Sequence, residues 1–230
     1  MVDKLLIMKI LSYNIHHSSQ EKIDKVISFG ADINVIPELA CPKLISIPDN
    51  YELVWQGVYE KKGLGVFWKN TIKCETPEWW NEKHKYIRPL IVNDNWLLIA
   101  AWPTVHEGDN KTYPQILLEA LREYEPYLQQ YPTLITGDLN CFIGQNGANK
   151  ETGRLEDIVD FLKQYNILSL YHNRTGEDFG KESKCTYHHM FSDKSVFFLD
   201  YTFTNISVFA YELAQKWDKM SDHLPQFIVI

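Results

Sequence analysis

Short segments rich in apolar and β-branched residues follow one another closely through the middle of the chain, and they constrain the fold most. The predicted strands there are residues 51–55, 65–69, 72–75, 87–92 and 96–102. The connections between them are too short for crossover helices, so neighbouring strands must pair antiparallel. Asn93-Asp94-Asn95 is a strong turn signal between the last two. The middle of the chain is therefore predicted to consist of hairpins.

The beginning of the chain has a different pattern. Residues 5–11 and 32–36 are predicted strands. Apolar residues at helical spacing lie between them and predict a helix that Ser18 or Ser19 can cap and that Gly30 ends. A strand–helix–strand unit of this kind is typical of α/β folds.

The second half of the chain repeats this mixture of elements. Its predicted elements are an amphipathic helix at 116–128, a strand at 133–136, a helix at 155–165 with a charged loop at 171–184 after it, and strands at 186–189, 196–203, 206–213 and 226–230. We therefore expect an α/β protein with two packed mixed β-sheets flanked by helices. Periodicity alone leaves α+β open and does not determine the strand order. Without a linker, charge run or repeat, residues 1–230 are interpreted as a single domain.

Charge and cysteine usage narrow the classes of function. The net charge of -7 argues against a broadly basic nucleic-acid clamp. It leaves a phosphate substrate open, because bound divalent cations can supply local positive charge. The four cysteines form no CxxC pair, which favours free thiols in a reducing compartment. No stretch reaches the about 20 apolar residues of a membrane span, so we expect a cytoplasmic monomer.

Polar residues recur where predicted strands end. They are Asn14, Glu38, Asp138, Asn140, Asp222 and His223. Carboxylate and amide oxygens suit Mg²⁺ or Mn²⁺, and a histidine adds a base or a hydrogen-bond donor. Each residue alone also has a structural interpretation: Asn14 as a turn residue, Glu38 as a surface carboxylate, Asp138 with Asn140 as an Asx turn, and Asp222-His223 as a helix cap.

The order of these residues resembles that of a known family. Ser12-Tyr13-Asn14 resembles an S-[WY]-N motif, and Pro37-Glu38 resembles Q-E with Pro replacing Gln. Gly137-Asp138-Leu139-Asn140 matches G-D-[FL]-N, Asp200-Tyr201-Thr202-Phe203 resembles D-Y-I-F, and Ser221-Asp222-His223-Leu224-Pro225 matches S-D-H-x-P. Along its whole length the chain thus resembles the endonuclease/exonuclease/phosphatase superfamily. This resemblance implies the DNase I-like four-layer sandwich.

The resemblance also implies a metal site that binds Mg²⁺, with Mn²⁺ as the alternative. Glu38 would be the principal ligand, helped by Asn14 and Asp222. Asn14 would also lie against the substrate.

Catalytic roles follow from the same resemblance. Asp138 would orient or deprotonate the attacking water, and Asn140 would hold Asp138 and the nucleophile in place. His223 would contact the scissile phosphoryl group, with Asp200 fixing its tautomer.

One position departs from the family pattern. Trp102 lies where relatives carry a catalytic His or Tyr, and an indole cannot act as an acid. We interpret Trp102 as a wall of the substrate site, with water, metal or the nearby His106 left to protonate the leaving group. Thr186 is the candidate for a phosphate contact, and Arg88 for a cation on a substrate-facing strand.

The leading hypothesis is an Mg²⁺-dependent phosphodiesterase, an endonuclease or exonuclease, with nucleic acid as its partner. Trp79, Trp80 and Trp102 could stack on bases, or the first two could pack on the core. The alternative is the same chemistry on a small or lipid phosphate ester. A non-catalytic binding module of the same fold is the third hypothesis.

Overall fold

Two six-stranded sheets form the centre of the protein, which we describe from a computed structural model covering residues 7–105, 110–145 and 153–230. The first sheet has the spatial order β13 (Ala210–Leu213), β14 (Gln226–Val229), β1 (Lys9–Ser12), β2 (Ile33–Leu39), β4 (Lys62–Lys69) and β3 (Tyr51–Tyr59). The second has the order β5 (Cys74–Glu75), β6 (Ile87–Val92), β7 (Trp96–Ala101), β8 (Thr133–Asp138), β12 (Asp200–Thr204) and β9 (Leu168–Ser169). A separate ribbon pairs β10 (Tyr187–His188) with β11 (Val196–Phe197).

Helices cover the outer face of each sheet. They are α1 (Gln20–Ser28), α2 (Tyr113–Glu123), α3 (Glu125–Gln130), α4 (Leu155–Lys163) and α5 (Leu170–Thr175), with short 3-10 turns at Glu82–His84 and His189–Phe191. Ile23 and Val26 of α1 pack on one face of the first sheet, and α2, α3 and α4 pack on the second. The remaining apolar cluster joins the inner faces of both sheets, for example Ile10 and Val35 with Leu98. The protein is therefore an α/β sandwich of four layers, as predicted.

The strand directions place polar residues from both sheets at one edge. β1 is parallel to β2, β7 is parallel to β8, and the other named pairs are antiparallel. Because β12 runs against β8, Asp200 at its start lies opposite Asp138 at the end of β8. Because β14 runs against β1, Gln226 lies opposite Ser12. The chain therefore enters β12 and β14 where β8 and β1 end.

Several element boundaries differ from the sequence-based prediction. The predicted helix 116–128 is divided between α2 and α3 at Tyr124, since Pro126 has no N–H to continue the first helix. The predicted strand 196–203 is two strands, β11 and β12. Residues 171–175, predicted as loop, belong to α5, where Leu170 and Tyr171 are buried. Residues 5 and 6 of the first predicted strand lie outside the described residues.

The cap predictions for the first helix are confirmed. The Ser19 hydroxyl accepts a hydrogen bond from the Lys22 amide, and Gly30 follows the helix with φ of 70°. Among the described residues, no helix is long and apolar enough to cross a membrane.

Candidate active site

The predicted polar residues converge at the edge where the two sheets meet. Asn14 follows β1, Glu38 lies near the end of β2, and Asp138 ends β8. Asp200 begins β12, and His223 precedes β14. Residues more than 180 positions apart in the chain therefore come together because the strands that carry them end at one edge.

Gly137 determines how closely β8 approaches β7. Its φ is +148°, and an added Cβ would lie 1.9 Å from the carbonyl oxygen of Ala101 on β7. Only glycine fits such a contact, in a backbone region that other residues rarely adopt. The glycine of the G-D-L-N motif thus sets the position of the carboxylate that follows it.

Asp138, Asp200 and His223 form a cluster that we call the buried triangle. His223 Nδ1 donates to Asp200 Oδ2 at 2.8 Å, and His223 Nε2 lies 3.8 Å from Asp138 Oδ2. The three side chains are at most 5% exposed. An imidazole held between two carboxylates has a defined tautomer and orientation.

Burial and mutual charge shift the pKa values of the triangle. Burial raises the pKa of Asp138 above its ordinary value, and His223 opposes that rise. Burial alone would lower the pKa of His223, but the charges of Asp200 and Asp138 raise it overall. Both shifts favour the proton-bound form, so the triangle retains a proton more firmly than isolated side chains would.

Asn140 contacts Asp138 through its backbone. Its N–H donates to Asp138 Oδ1 at 2.9 Å, which is an Asx turn, and its φ of 52° is left-handed. Its side-chain amide donates instead to the carbonyl oxygen of Pro103 at 3.1 Å. Asn140 therefore holds Asp138 by its main chain, and its side chain has no described bond to Asp138.

Glu38 has the geometry of a cation ligand. It lies at a register shift in β2 with φ of 63°, an unusual backbone for glutamate. Its Oε1 receives Lys62 Nζ at 2.9 Å and Asn14 Nδ2 at 3.4 Å. Its Oε2 is buried and has no hydrogen-bond partner among the described residues. An orphaned buried carboxylate oxygen fits a divalent cation as its partner.

The local charges also keep Glu38 ionised. Burial would raise the pKa of Glu38, but Lys62 and the Asn14 amide outweigh burial and lower it. Lys62 was absent from the sequence-based candidates. It lies on the β3–β4 hairpin, and no local pattern indicates that this hairpin reaches the site.

Asn14 is oriented as a donor. Its Nδ2 donates to Asp138 Oδ2 at 2.9 Å as well as to Glu38, while its Oδ1 accepts from the His16 amide at 3.0 Å. In this orientation the amide links the two carboxylates. It would offer its oxygen to a cation only if the amide group turned over.

Asp222 is also brought to this edge. Its Oδ2 lies 3.0 Å from His16 Nδ1, and its Oδ1 lies 3.9 Å from His223 Nε2. Ser221 fixes this segment, since its hydroxyl donates to the carbonyl oxygen of Asn14 at 2.6 Å and accepts from the His223 amide at 3.1 Å. The S-D-H motif is thereby bonded to the end of β1.

A second group of ligand-bearing residues lies beside the triangle, and we call it the open cluster. One ligand atom each of His16, His17 and Glu38 lies within 4.8 Å of the others. His17 is exposed and His16 is half-buried. Neither histidine was predicted, although they follow the S-Y-N motif after a single residue, Ile15, and that proximity is the signal that could have identified them.

The remaining candidates differ in their surroundings. The Thr186 hydroxyl accepts from the amides of Leu199 and Asp200 at 2.8 and 2.9 Å, so it braces the start of β12. Trp102 is 4% exposed and lies under the Lys62 ammonium, 5.3 Å from its ring centre, which fits a wall. His106 lies outside the described residues.

Arg88 and the other tryptophans pack elsewhere. The Arg88 guanidinium donates to Thr76 and Gln56 and stacks 3.7 Å from the Trp80 ring centre. Trp79 stacks on Tyr127 at 3.8 Å, and both Trp79 and Trp80 pack against the core. Their described contacts are therefore structural.

Solved structures resemble this chain over nearly its whole length. The endonuclease domain of TRAS1, a telomere-specific non-LTR retrotransposon, matches with a TM-score of 0.67 and 11% identity, over 97% of this chain and 98% of that chain. An AP endonuclease from Archaeoglobus fulgidus matches at 0.63 and 16%, over 97% and 99%. TDP2 of D. rerio, complexed with single strand DNA product, matches at 0.62 and 12%, over 97% and 98%.

Comparisons at the level of sequence, by contrast, found no match. No protein-family model matches the chain, and no curated protein sequence does. The structural matches therefore establish the fold: the protein has the DNase I-like architecture, as the motifs indicated.

Proposed function

We propose that the protein is a divalent-metal-dependent phosphodiesterase that hydrolyses nucleic acid. The observation that carries this proposal is the buried triangle beside a glutamate whose buried Oε2 has no partner in the described ranges of the chain. Orienting carboxylates, a proton-bearing imidazole and a cation ligand are the groups that phosphate ester hydrolysis needs.

The residues of the triangle have distinct proposed roles. The carboxylate of Asp138 orients the attacking water and takes its proton, for which its raised pKa suits it. Asp200 holds the Nδ1 proton of His223, so that the imidazole presents Nε2 to the site. A protonated His223 then donates from Nε2 to a phosphoryl oxygen and offsets its growing negative charge.

The proposed metal is Mg²⁺, with Mn²⁺ as the alternative. Glu38 would hold it through its unpartnered oxygen, and Asp222 and Asn14 are the proposed further ligands, the latter after its amide turns over. A bound divalent ion would neutralise phosphoryl charge and position the ester. The protonation of the leaving oxygen stays unassigned.

Nucleic acid is the favoured substrate because of the structural relatives. Two of them are described as endonucleases, and TDP2 is complexed with a single strand DNA product. A small or lipid phosphate ester is the second candidate. It is supported by the net charge of -7, by the packing of Trp79 and Trp80 against the core, and by the burial of Trp102. A non-catalytic module is less well supported, since the sequence contains all of the following candidate residues: Glu38, Asp138, Asn140, Asp200 and His223.

The variant Glu38→Ala tests the proposal. We expect hydrolysis of a substrate panel in Mg²⁺ to fall to the level seen in EDTA, with an unchanged circular dichroism spectrum. The panel spans single-stranded DNA, duplex DNA, an abasic duplex, RNA and small phosphodiesters.

The matched control is Glu60→Ala, which removes an exposed carboxylate from the hairpin that carries Lys62. It should retain full activity. Full activity of Glu38→Ala would contradict the metal assignment, and cleavage of small esters alone would favour the second candidate substrate.

A further inference from the structure

The open cluster contains a ligand set that an Mg²⁺ site does not require. His16 and His17 each bring an imidazole within 4.8 Å of the Glu38 carboxylate. Mg²⁺ prefers oxygen ligands and usually retains several waters, whereas imidazole suits first-row transition metals. Two histidines and one carboxylate therefore indicate a different class of ion.

The backbone at both histidines is bent and left-handed. His16 and His17 have φ values of 44° and 62°, a conformation that few residues other than glycine adopt. Lys22 fixes this turn from α1, since its Nζ donates to the carbonyl oxygens of Ile15 and His16 at 2.6 Å each. The two ring centres lie 4.8 Å apart. The imidazoles are therefore placed by bonds from a helix.

Asp222 places a carboxylate beside the His16 ring. Its Oδ2 lies 3.0 Å from His16 Nδ1, an ion-pair contact. A negative charge this close favours the proton on Nδ1, which leaves the lone pair on Nε2. Metal-ligating histidines commonly have a carboxylate beside the ring nitrogen that does not bind the metal.

Glu38 provides the independent evidence that a ligand binds here. The residue is 9% exposed, and its Oε2 is buried without a hydrogen-bond partner in the described parts of the chain. Leaving such an oxygen unpaired costs free energy, which a bound cation would recover. His17 is exposed, so an ion can enter from solvent and retain water or substrate positions.

We propose that His16, His17 and Glu38 bind a first-row transition-metal ion of the Mn²⁺, Co²⁺ or Zn²⁺ class, and bind it more tightly than Mg²⁺, which Glu38 would hold with Asp222 and Asn14 and without the two histidines. The inference rests on the proposed function in one respect, that Glu38 is a metal ligand. It makes the open cluster the element that selects the metal, while the buried triangle acts on water and phosphate.

Direct metal binding tests the inference without an activity assay. Metal-free protein is titrated with CoCl2 and separately with MgCl2, by calorimetry and, for Co²⁺, by visible d–d absorption. We expect His17→Ala to weaken Co²⁺ binding by at least about tenfold, the usual effect of removing a residue from a metal site. The absorption spectrum should also change, because the ion loses a ligand. Mg²⁺ binding should change by less than about threefold, because Mg²⁺ uses oxygen ligands.

Two further variants complete the experiment. His16→Gln removes the second imidazole and should weaken Co²⁺ binding similarly. His189→Ala is the matched control, because it removes an exposed histidine that lies outside the cluster, and it should leave both affinities unchanged. Unchanged Co²⁺ affinity in both His17→Ala and His16→Gln would overturn the inference, as would an equal loss in His189→Ala.

The result is separable from the proposed function. If the wild-type protein hydrolyses no phosphodiester with any ion, the proposed function fails, yet histidine-dependent Co²⁺ binding would still support the metal site. If Mg²⁺-dependent hydrolysis is found but the Co²⁺ affinity is unchanged in both histidine variants, the inference fails and the proposed function stands.

Discussion

The buried triangle and the open cluster lie side by side but are built differently. In the triangle, Asp138 and Asp200 lie on paired strands of the second sheet, and His223 lies just before β14 of the first. The triangle is at most 5% exposed, and its imidazole is bonded to a carboxylate at 2.8 Å. The open cluster is carried by a strained turn and a register shift, and it reaches solvent at His17. The triangle is buried and bonded internally, whereas the open cluster has a carboxylate oxygen without a partner among the described residues.

From this difference we infer that the buried triangle and the open cluster have different tasks. A buried network of charged groups fixes orientation and proton occupancy, because every member has a partner and the groups lie in a less polar surrounding than water. A group with an unpartnered carboxylate oxygen and an exposed histidine is suited to exchange a ligand with solvent. Substitutions in the triangle should therefore alter turnover, and substitutions around the open cluster should alter cation binding.

The largest expected effect concerns turnover and comes from Asp138→Asn. Removing this carboxylate should lower kcat by about 10²–10⁴-fold, the usual contribution of a positioned general base. The free energy of unfolding should fall by roughly 1–3 kcal/mol, because both Asp138 oxygens accept hydrogen bonds and the NH2 group of the new amide would face one of those donors. Rate measurements and urea titrations of the variant check both expectations.

Asp193→Asn, on an exposed carboxylate, is the control for this comparison. Wild-type turnover in Asp138→Asn would mean that the triangle has only a structural task.

The next effect concerns stability at the base of the triangle. Gly137→Ala should lower the free energy of unfolding by roughly 3 kcal/mol or more, because its Cβ would lie 1.9 Å from the Ala101 carbonyl oxygen at φ of +148°. Gly144→Ala is the control: φ is +79° and no atom of the described residues lies within 4 Å of an added Cβ, so a loss of about 1 kcal/mol is expected. Equal losses in urea titrations would show that the close contact between β7 and β8 is not what requires glycine at position 137.

The smallest effect concerns the cation. Lys62→Met removes the ammonium that lies 2.9 Å from Glu38 Oε1, so a divalent ion should bind about fivefold more tightly, equivalent to about 1 kcal/mol. Calorimetric titration with MgCl2 or CoCl2 measures the change. Lys61→Met, on an exposed neighbour, should have no effect. Weaker binding in Lys62→Met would show that the ammonium supports the cation site instead of competing with it.

Much of the fold could be predicted from local patterns. The hairpin of β6 and β7 follows from two short apolar segments on either side of the turn at Asn93-Asp94-Asn95, in which φ is 49° and 57° for the first two residues. Elements set by long-range packing were not predicted. α5 forms where Leu170 and Tyr171 are buried, although its sequence is otherwise polar. The break at Tyr124 places the side-chain hydroxyl against the Ile87 carbonyl oxygen, 37 positions away.

The residues of the site likewise divide into those that the sequence indicated and those that only the structure revealed. The motifs identified Glu38, Asp138 and His223 because these residues lie in short segments with fixed spacing. Lys62 could not be identified, since its position beside Glu38 depends on how β3 and β4 pair. The sequence also could not show that Asn140 holds Asp138 through its amide N–H while its side chain bonds to Pro103.

By itself, the sequence determined the class of fold and the residues that converge, because hydrophobic periodicity, turn residues and short motifs are local properties of the chain. Only the tertiary structure decided which of these groups are buried and which reach solvent. Hydrogen-bond partners, burial and pKa shifts are set by neighbours that are distant in the chain. The separation of a buried triangle from an open cluster at one edge of the two sheets exists only in three dimensions.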